Sequence, residues 1–472
     1  MLWSPHEYQK RAIELLLSQG SVGLFLDPGL GKTSICLAAF SVLKNMGYVK
    51  SMLVIAPLHV CHNVWPKEIQ KWDNFNNLKI EILHGPNKES ALRRDADIYV
   101  INPEGLLWLF KHGNKEWDIL CVDESTRFKD TQTKRFKLMR PHFQRFPRRW
   151  ILTGTLIPNG IHDLFGQIYI LDLGHALGRY VTHFRDKYFT SEAWKPYSFI
   201  PKAGAWEAIV DRISPYSLRL KAEDYLEMPE LFILPPTKIE LPSAARKIYS
   251  EIENDFITTL NENTIIAANT AVAGGKCRQV CNGALYTERD SATFSTIHES
   301  KLDALVSLLE EINGSPTLVL YEFQHDKARL LARLGSATPV LGGGTTTKRA
   351  SEIIRSFNAG HIPVLLGHPA SMGHGLNLQE ACHHIIWFGI TWNFEHYDQA
   401  IRRVYRQGQQ KPVFVYHIVA TDTLDEVVME VLQRKGSTQE LLYSKLTSWR
   451  NESGREREGN VSGYAGRAME HS

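Results

Sequence analysis

Three groups of side chains in this sequence have the types and spacing to act together on a phosphoanhydride. The first is DPGLGKT at 27–33, which follows the apolar run VGLFL and opens a second apolar stretch, SICLAAF. Gly29 and Gly31 let the backbone turn its N–H groups onto anionic oxygens, and the helix that follows adds a favourable dipole. Lys32 can reach the outer phosphates and Thr33 can ligate Mg2+. A nucleoside triphosphate is the expected ligand, although Leu26 stands where the strict eight-residue pattern has glycine. The second group is Asp123-Glu124, at the end of the apolar run ILCV. At the end of a strand in an open α/β sheet, carboxylates face the phosphates of a bound nucleotide. Asp123 is expected to hold Mg2+ through water and Glu124 to orient and deprotonate the attacking water; an acidic cap after a strand is the plainer alternative. The third group is Arg403 and Arg406, three apart in YDQAIRRVYRQGQ and expected to share one helix face. In a two-lobe ATPase such guanidinium groups neutralise the charge that develops on a transferred phosphoryl group, so that hydrolysis depends on lobe closure; an ordinary solvated basic helix would look similar.

These groups need rigid elements to hold them, and the hydrophobic pattern supplies two sets. From residue 21 to about 173, the runs VGLFL, SMLVIAP, KIEILH, DIYVIN, DILCVDE and RRWILTG alternate with helix-length segments. From 301 to about 434, TLVLYE, TPVLGG, IPVLLGH, HHIIWFG and VFVYHIV repeat the rhythm. Each set predicts a parallel sheet flanked by helices. A length of 472 residues accommodates two or three cores. The expected division is a first lobe over 1–173, helical elaborations and a linker over 174–300 with a helix from 243 to about 260, a second lobe over 301–447, and a polar, glycine-rich tail over 448–472 that is expected to be disordered.

A net charge of +3 does not announce a polyanionic partner, but its distribution is uneven. Between Arg127 and Arg149 nine Lys or Arg residues stand against one acid, with Phe136, Phe143, Phe146 and Trp150 interleaved. The stretch either grips phosphates without reading sequence, or is a solvated face whose aromatics lie in the core; the aromatics themselves read as core. The six cysteines are scattered, and with no further Cys or His pair at ligand spacing, Cys277 and Cys281 read as helix core rather than a metal clip. His368, His374, His383 and His384 likewise lack metal spacing. The chain has no membrane-spanning run and no signal-peptide layout at its start, so the expected setting is the reducing cytoplasm of a bacterial or phage-infected cell.

With these residues in hand, the sequence resembles superfamily-two helicases, and within them the Swi/Snf-type translocase branch, in a compact form of phage or bacterial kind. PHEYQKRAIELL is similar to the adenine-reading Q motif, which assigns Gln9 to the base, and DPGLGKT to motif one. VIAPLHVCHNVWPKEIQKW resembles motif Ia, VINPEGL a strand-contacting motif, VDESTRFKD motif two and LTGTLIPN motif three. TLVLYEFQHD, SMGHGLNLQEA and QAIRRVYRQGQ resemble motifs four, five and six.

The resemblance implies two tandem RecA-like domains with helical elaborations between them, and ATP and Mg2+ as ligands. It makes Arg403 and Arg406 arginine fingers, and Thr153 and Thr155 the residues that couple nucleotide to nucleic acid. Gly375, Asn377, Arg127 and Lys129 join them as coupling or nucleic-acid contacts. The implied activity is ATP hydrolysis between the lobes, driving movement along duplex DNA, with or without strand opening. The alternative is a nucleotide-gated DNA-binding switch that recruits a nuclease or methyltransferase; protein partners in replication, repair or restriction fit either reading. Three positions depart from the branch pattern: motif two reads DEST where a DEAH-like box is usual, Leu156 replaces a proline in motif three, and Leu26 replaces a small residue.

Overall fold

The computed structural model describes residues 1–112, 115–192, 195–261, 267–287, 293–372 and 376–438. The described residues divide into two compact units, Met1–Leu226 and Glu227–Gly436.

The first unit is built on a seven-stranded sheet. Its strands are β1 (Ser21–Leu26), β2 (Met52–Ile55), β3 (Ile80–Ile82), β4 (Ile98–Ile101), β5 (Ile119–Asp123) and β6 (Arg148–Thr153). A hairpin of β7 (Phe189–Glu192) and β8 (Lys195–Pro201) precedes β9 (Ser217–Leu220), which closes the sheet. The order is β3-β4-β2-β5-β6-β1-β9, and every pairing in it is parallel. Helices cover both faces, so successive residues of a central strand enter opposite cores. Phe25, Leu120 and Val122 pack on one face, and Leu24, Leu26 and Cys121 on the other. Helices α1 (Glu7–Ser18) and α2 (Lys32–Asn45) cover the second face.

The second unit repeats the plan. Strands β10 (Leu231–Ile233) and β11 (Thr237–Ile239) precede a two-stranded pair, β12 (Ala284–Tyr286) with β13 (Phe294–Thr296). The remaining strands are β14 (Thr317–Leu320), β15 (Val340–Leu341), β16 (Val364–Gly367), β17 (His384–Trp387) and β18 (Val413–Ala420). The sheet runs β10-β18-β17-β14-β16-β15, with β11 also paired to β18, and its pairings too are parallel.

Within 174–300 the sequence pattern shows helices and a linker, and the helix Ser243–Asn261 lies where it was expected. Three short strands there join the sheets on either side of the boundary at Leu226/Glu227. β9 pairs with β1, while β10 and β11 pair with β18. Runs of three or four residues are too short to carry a periodic signal; only pairing with a formed neighbour makes them strands.

The basic segment after β5 is partly structural. Arg148 Nη1 donates to the carbonyls of Leu16, Leu17 and Gln19 at 3.2, 3.4 and 3.1 Å, closing the last turn of α1 with a cation. Arg149 does the same for the helix Leu164–Asp172, donating to Leu171 O from Nε at 3.1 Å and from Nη2 at 2.8 Å. Arg140 lies over the Tyr169 ring and donates to Arg179 O at 2.9 Å. Phe136, Phe143, Phe146 and Trp150 are all buried. Lys134, Lys137 and Arg145 remain exposed, with Arg127 beside them in sequence. Among the described residues no helix is long and apolar enough to cross a membrane.

Because α1 carries Gln9, its C-terminal cap has a consequence for the loop below. Arg148→Met should lower the unfolding free energy of the first unit by about 2 kcal/mol, read from the urea transition. An unchanged transition would mean that the cap contributes nothing.

Candidate nucleotide site and nucleic-acid-binding segments

The loop that leaves β1 turns through two glycines in left-handed backbone, Gly29 at φ 95° and Gly31 at φ 77°, before α2 begins at Lys32. At Gly31 the conformation and the space agree. A Cβ there would lie 2.6 Å from Gln9 Nε2, so a larger residue would displace the Gln9 amide from the loop as well as strain the backbone. Gln9 itself is buried. Its Nε2 donates to Leu30 O at 3.2 Å and its Oε1 accepts the backbone N–H of His6 at 2.9 Å, which fixes the amide against the loop. Thr33 is partly buried in the first turn of α2.

Lys32 folds back over the loop, where Nζ donates to Leu26 O at 2.7 Å and Asp27 O at 3.4 Å. Burial holds its ammonium below the ordinary lysine range despite the attraction of Glu124, Asp123 and Asp27; the nearby Arg219 pushes in the same direction as burial. The first loop thus meets the second group, Asp123 and Glu124. Asp123 ends β5, is buried, and accepts a hydrogen bond at Oδ2 from the Trp65 indole N–H at 3.1 Å. Glu124 is one of few non-glycine residues here in left-handed backbone, at φ 58° and ψ 61°. An L-residue occupies that region only where its surroundings enforce it, and such strain concentrates at functional sites.

Two contributors were not singled out as site residues: Arg219 lies outside every motif, and the helix Trp65–Lys71 lies within the motif Ia stretch. Arg219, on β9, forms a buried ion pair with the first loop residue, Nη2 to Asp27 Oδ1 at 2.6 Å, while its Nη1 donates to Phe25 O at 2.9 Å and Leu220 O at 2.7 Å. Asp27 Oδ2 in turn accepts the Ala222 N–H at 3.1 Å. The only sequence hint is an arginine set between leucines in SLRL, which a buried strand tolerates only when it is paired. The helix Trp65–Lys71 is the other contributor: besides Trp65, its Glu68 accepts the Trp72 indole N–H at 2.7 Å and is hydrogen-bonded to Ser34 of α2.

Thr153 and Thr155 are buried at the end of β6. Thr153 Oγ1 donates to Thr155 O at 3.0 Å and accepts the Thr155 N–H at 3.1 Å, a closed local turn. Between them, a Cβ at Gly154 would come 3.2 Å from Pro28 Cδ, so this turn packs directly on the glycine loop. Arg127 and Lys129 lie near acids, Glu104 at 3.9 Å and Asp163 at 3.8 Å.

In the second unit, the expectation that Arg403 and Arg406 share a helix face is not met. The helix Phe394–Ile401 ends before them, and they stand in consecutive turns. Arg402 closes the helix through both oxygens of Asp398, each 2.9 Å from Nε, and the chain turns away with Gly408 at φ 93°. The carbonyl of Arg403 accepts the Leu378 N–H at 3.0 Å, and Arg406 Nη1 is hydrogen-bonded to Asn377 Oδ1 and donates to Leu376 O at 3.4 Å. Asn377 and both arginines therefore meet at one place. Burial lowers the pKa of Arg406 from the ordinary guanidinium range. Gly375 lies outside the described residues.

A parallel α/β unit with a glycine loop, lysine and paired carboxylates at one sheet edge, followed by a second parallel unit, defines the class of helicase-like nucleotide hydrolases. Known sequences agree: residues 8–195 match the SNF2-related domain and residues 300–408 the helicase conserved C-terminal domain. Protein p41 of Acyrthosiphon pisum secondary endosymbiont phage 1 is 35% identical over 465 residues, an alignment covering 94% of this chain and 99% of that one. YwqA of Bacillus subtilis, whose name describes an ATP-dependent helicase/translocase, is 26% identical over 91% of this chain and 47% of its own length. The DNA repair and recombination protein RAD54B of Gallus gallus is 25% identical over 88% of this chain and 50% of its own. The chain thus spans nearly all of the phage relative and about half the length of the other two. It belongs to the Swi/Snf-type, SNF2-related family of superfamily-two helicase-like ATPases, and is an ATP-hydrolysing, DNA-dependent enzyme.

The Asp27–Arg219 pair sets the position of the glycine loop. Arg219→Met would remove the buried guanidinium that pairs with Asp27 Oδ1 and should cost about 3–5 kcal/mol, seen as a lower thermal midpoint. The double variant Asp27→Asn with Arg219→Met should regain most of that loss; a double variant no more stable than Arg219→Met alone would contradict this account.

Proposed function

We propose that the chain is a DNA-stimulated motor that hydrolyses ATP with Mg2+ and moves along duplex DNA without reading its sequence. The observation that carries this reading is the meeting of Lys32, Asp123 and a left-handed Glu124 at one edge of a parallel sheet. A site that only senses nucleotide needs the lysine and the glycines, whereas a strained carboxylate beside the magnesium-type aspartate serves turnover, which argues against the nucleotide-gated switch.

In this reading Gln9 contacts the base, while Gly29, Gly31 and Lys32 hold the phosphates. The hydroxyl of Thr33 and the carboxylate of Asp123 are hard oxygen donors of the kind Mg2+ prefers, and they would hold it. When bound, the ion supplies charge neutralisation on the phosphate oxygens. Glu124 orients the attacking water and accepts its proton, and Arg403 and Arg406 neutralise the charge developing on the transferred phosphoryl group. Trp65 donates to Asp123 and Glu68 bonds to Ser34, so the helix after motif Ia holds both sides of the pocket. Thr153, Thr155, Asn377 and Gly375 couple nucleotide state to DNA. Arg127 and Lys129, with the exposed Lys134, Lys137 and Arg145, meet the phosphate backbone; contacts of that kind weaken steeply with salt and carry no sequence information. The phage relative supports a phage or bacterial setting for this activity.

Lys32→Ala and Glu124→Gln should each reduce duplex-stimulated phosphate release by about a hundredfold or more, with circular dichroism unchanged. Full turnover in either variant would remove the mechanism. Movement is tested separately. The wild type should displace a third strand from a duplex track in an ATP-dependent manner while leaving a forked duplex paired; the reverse pattern would identify an unwinding enzyme instead.

A further inference from the structure

Ser125 follows the strained Glu124, is fully buried, and donates through Oγ to Gln167 Oε1 at 2.7 Å. Gln167 is also fully buried. Its amide nitrogen donates in the other direction, to Leu156 O at 2.7 Å and Asp163 O at 3.0 Å. One side chain therefore joins the residue next to Glu124 to the loop that follows Thr155. All of its amide hydrogens are used in doing so.

The helix that carries Gln167, Leu164–Asp172, is held as a strut between the same two segments. A Cβ at Gly166 would lie 2.2 Å from Phe128 O and 2.6 Å from Lys129 O, so the helix backbone rests on the short turn Ser125–Phe128 and its exit. At its far end Arg149, at the start of β6, caps Leu171 O. At its near end Asp163 Oδ2 accepts the Asn159 N–H at 2.7 Å, which closes the 156–159 loop onto the helix.

Stability alone does not require this arrangement. The Ser125–Gln167 bond by itself could be replaced by an apolar contact of the same shape at little cost, because pairing the two groups mainly repays their own desolvation; the cost of losing Gln167 lies in the bonds to Leu156 O and Asp163 O. What the pair adds is direction. Two short, aimed hydrogen bonds transmit a displacement of the 156–159 loop to Ser125, whereas an apolar contact would let the surfaces slide. The linkage also accounts for one departure from the family pattern: the DEST box supplies the hydroxyl that Gln167 needs. A glutamine within the apolar run LFGQIYILD is the corresponding sequence signal.

We infer that Gln167 is a positioning residue which makes the aim of the Glu124 carboxylate depend on the state of the loop after Thr155, and so sets how strongly DNA stimulates hydrolysis. The inference rests on the roles proposed above for Glu124 and for the Thr153–Thr155 turn.

The test compares wild type, Ser125→Ala, Gln167→Leu and the double variant, with ATPase rates at saturating linear duplex and without DNA, KM for ATP, and thermal midpoint. The ratio of stimulated to basal rate should fall by about tenfold in the double variant, with KM for ATP unchanged. The thermal midpoint should fall in the two variants that lack Gln167, which loses its bonds to Leu156 O and Asp163 O, and stay close to the wild type in Ser125→Ala. Each single variant should lose the ratio to a similar extent, because either break interrupts the same link. A double variant that keeps the wild-type ratio overturns the inference, whatever its midpoint, and leaves the motor reading intact. Should the double variant fail to fold, Ser125→Ala, which removes one oxygen atom, decides by the same ratio. A wild type unstimulated by duplex would instead defeat the motor reading, and this inference with it.

Discussion

Parallel pairing of β1, β6 and β5 in close register is the constraint on which the rest of the first unit depends. Phe25 stands opposite Thr153, and Asp123 opposite Leu152, so the three strands end within two residues of one another. Because they run in one direction, the chain leaves all of them at the same edge, and the segments that follow, beginning at Asp27, Gly154 and Glu124, must pack against one another there. The close approach of Gly154 to Pro28 is one result, and the strained backbone at Glu124 is another. Helix α1 and the helices Trp65–Lys71 and Leu164–Asp172 then pack on that edge, each contributing one buried polar side chain: Gln9, Trp65 and Gln167.

That edge concentrates charge. Lys32 lies among Glu124, Asp123 and Asp27, with Arg219 close by, and burial still outweighs the carboxylates in setting the lysine's proton affinity. Charged groups held this way are expensive in folding terms, and replacing them with packed apolar residues would in general make a more stable domain. Their retention fits the proposed phosphate site, where a polyanion would supply negative charge and compete with the Leu26 and Asp27 carbonyls for the ammonium. The same logic explains Arg148 and Arg149. They lie in a run that looks like a phosphate track, yet their guanidinium groups serve helix carbonyls inside the unit. A helix C-terminus attracts a cation for the same electrostatic reason as a phosphate, so composition alone cannot separate the two uses.

Much of the architecture was legible in the sequence. Each of the apolar runs in the two sets became a strand, because a strand buried on both faces must be apolar throughout. The glycine loop was legible because left-handed backbone and close approach admit few residues other than glycine, and the Asp123-Glu124 pair because it ends an apolar run downstream of that loop. The strands β9, β10 and β11 were not, since three or four residues carry too little pattern. Nor was the end of the helix before Arg403, where the break is set by the Arg402–Asp398 contact and by the pairing of the Arg403 carbonyl with Leu378, about twenty-five residues earlier in the chain.

The sequence by itself thus determined the two parallel α/β units and the glycine loop, since each of these follows from local periodicity or from a backbone conformation that few residues tolerate, while the order of the motifs carried the family resemblance. Only the tertiary structure decided that Arg219 fastens the glycine loop, that Trp65 holds Asp123, and that Gln167 bridges the segments after Glu124 and Thr155. Those three side chains act through partners far away in the chain. A buried polar group finds its hydrogen-bond partner only once packing has brought the two together, and no local pattern in the amino-acid order records that meeting.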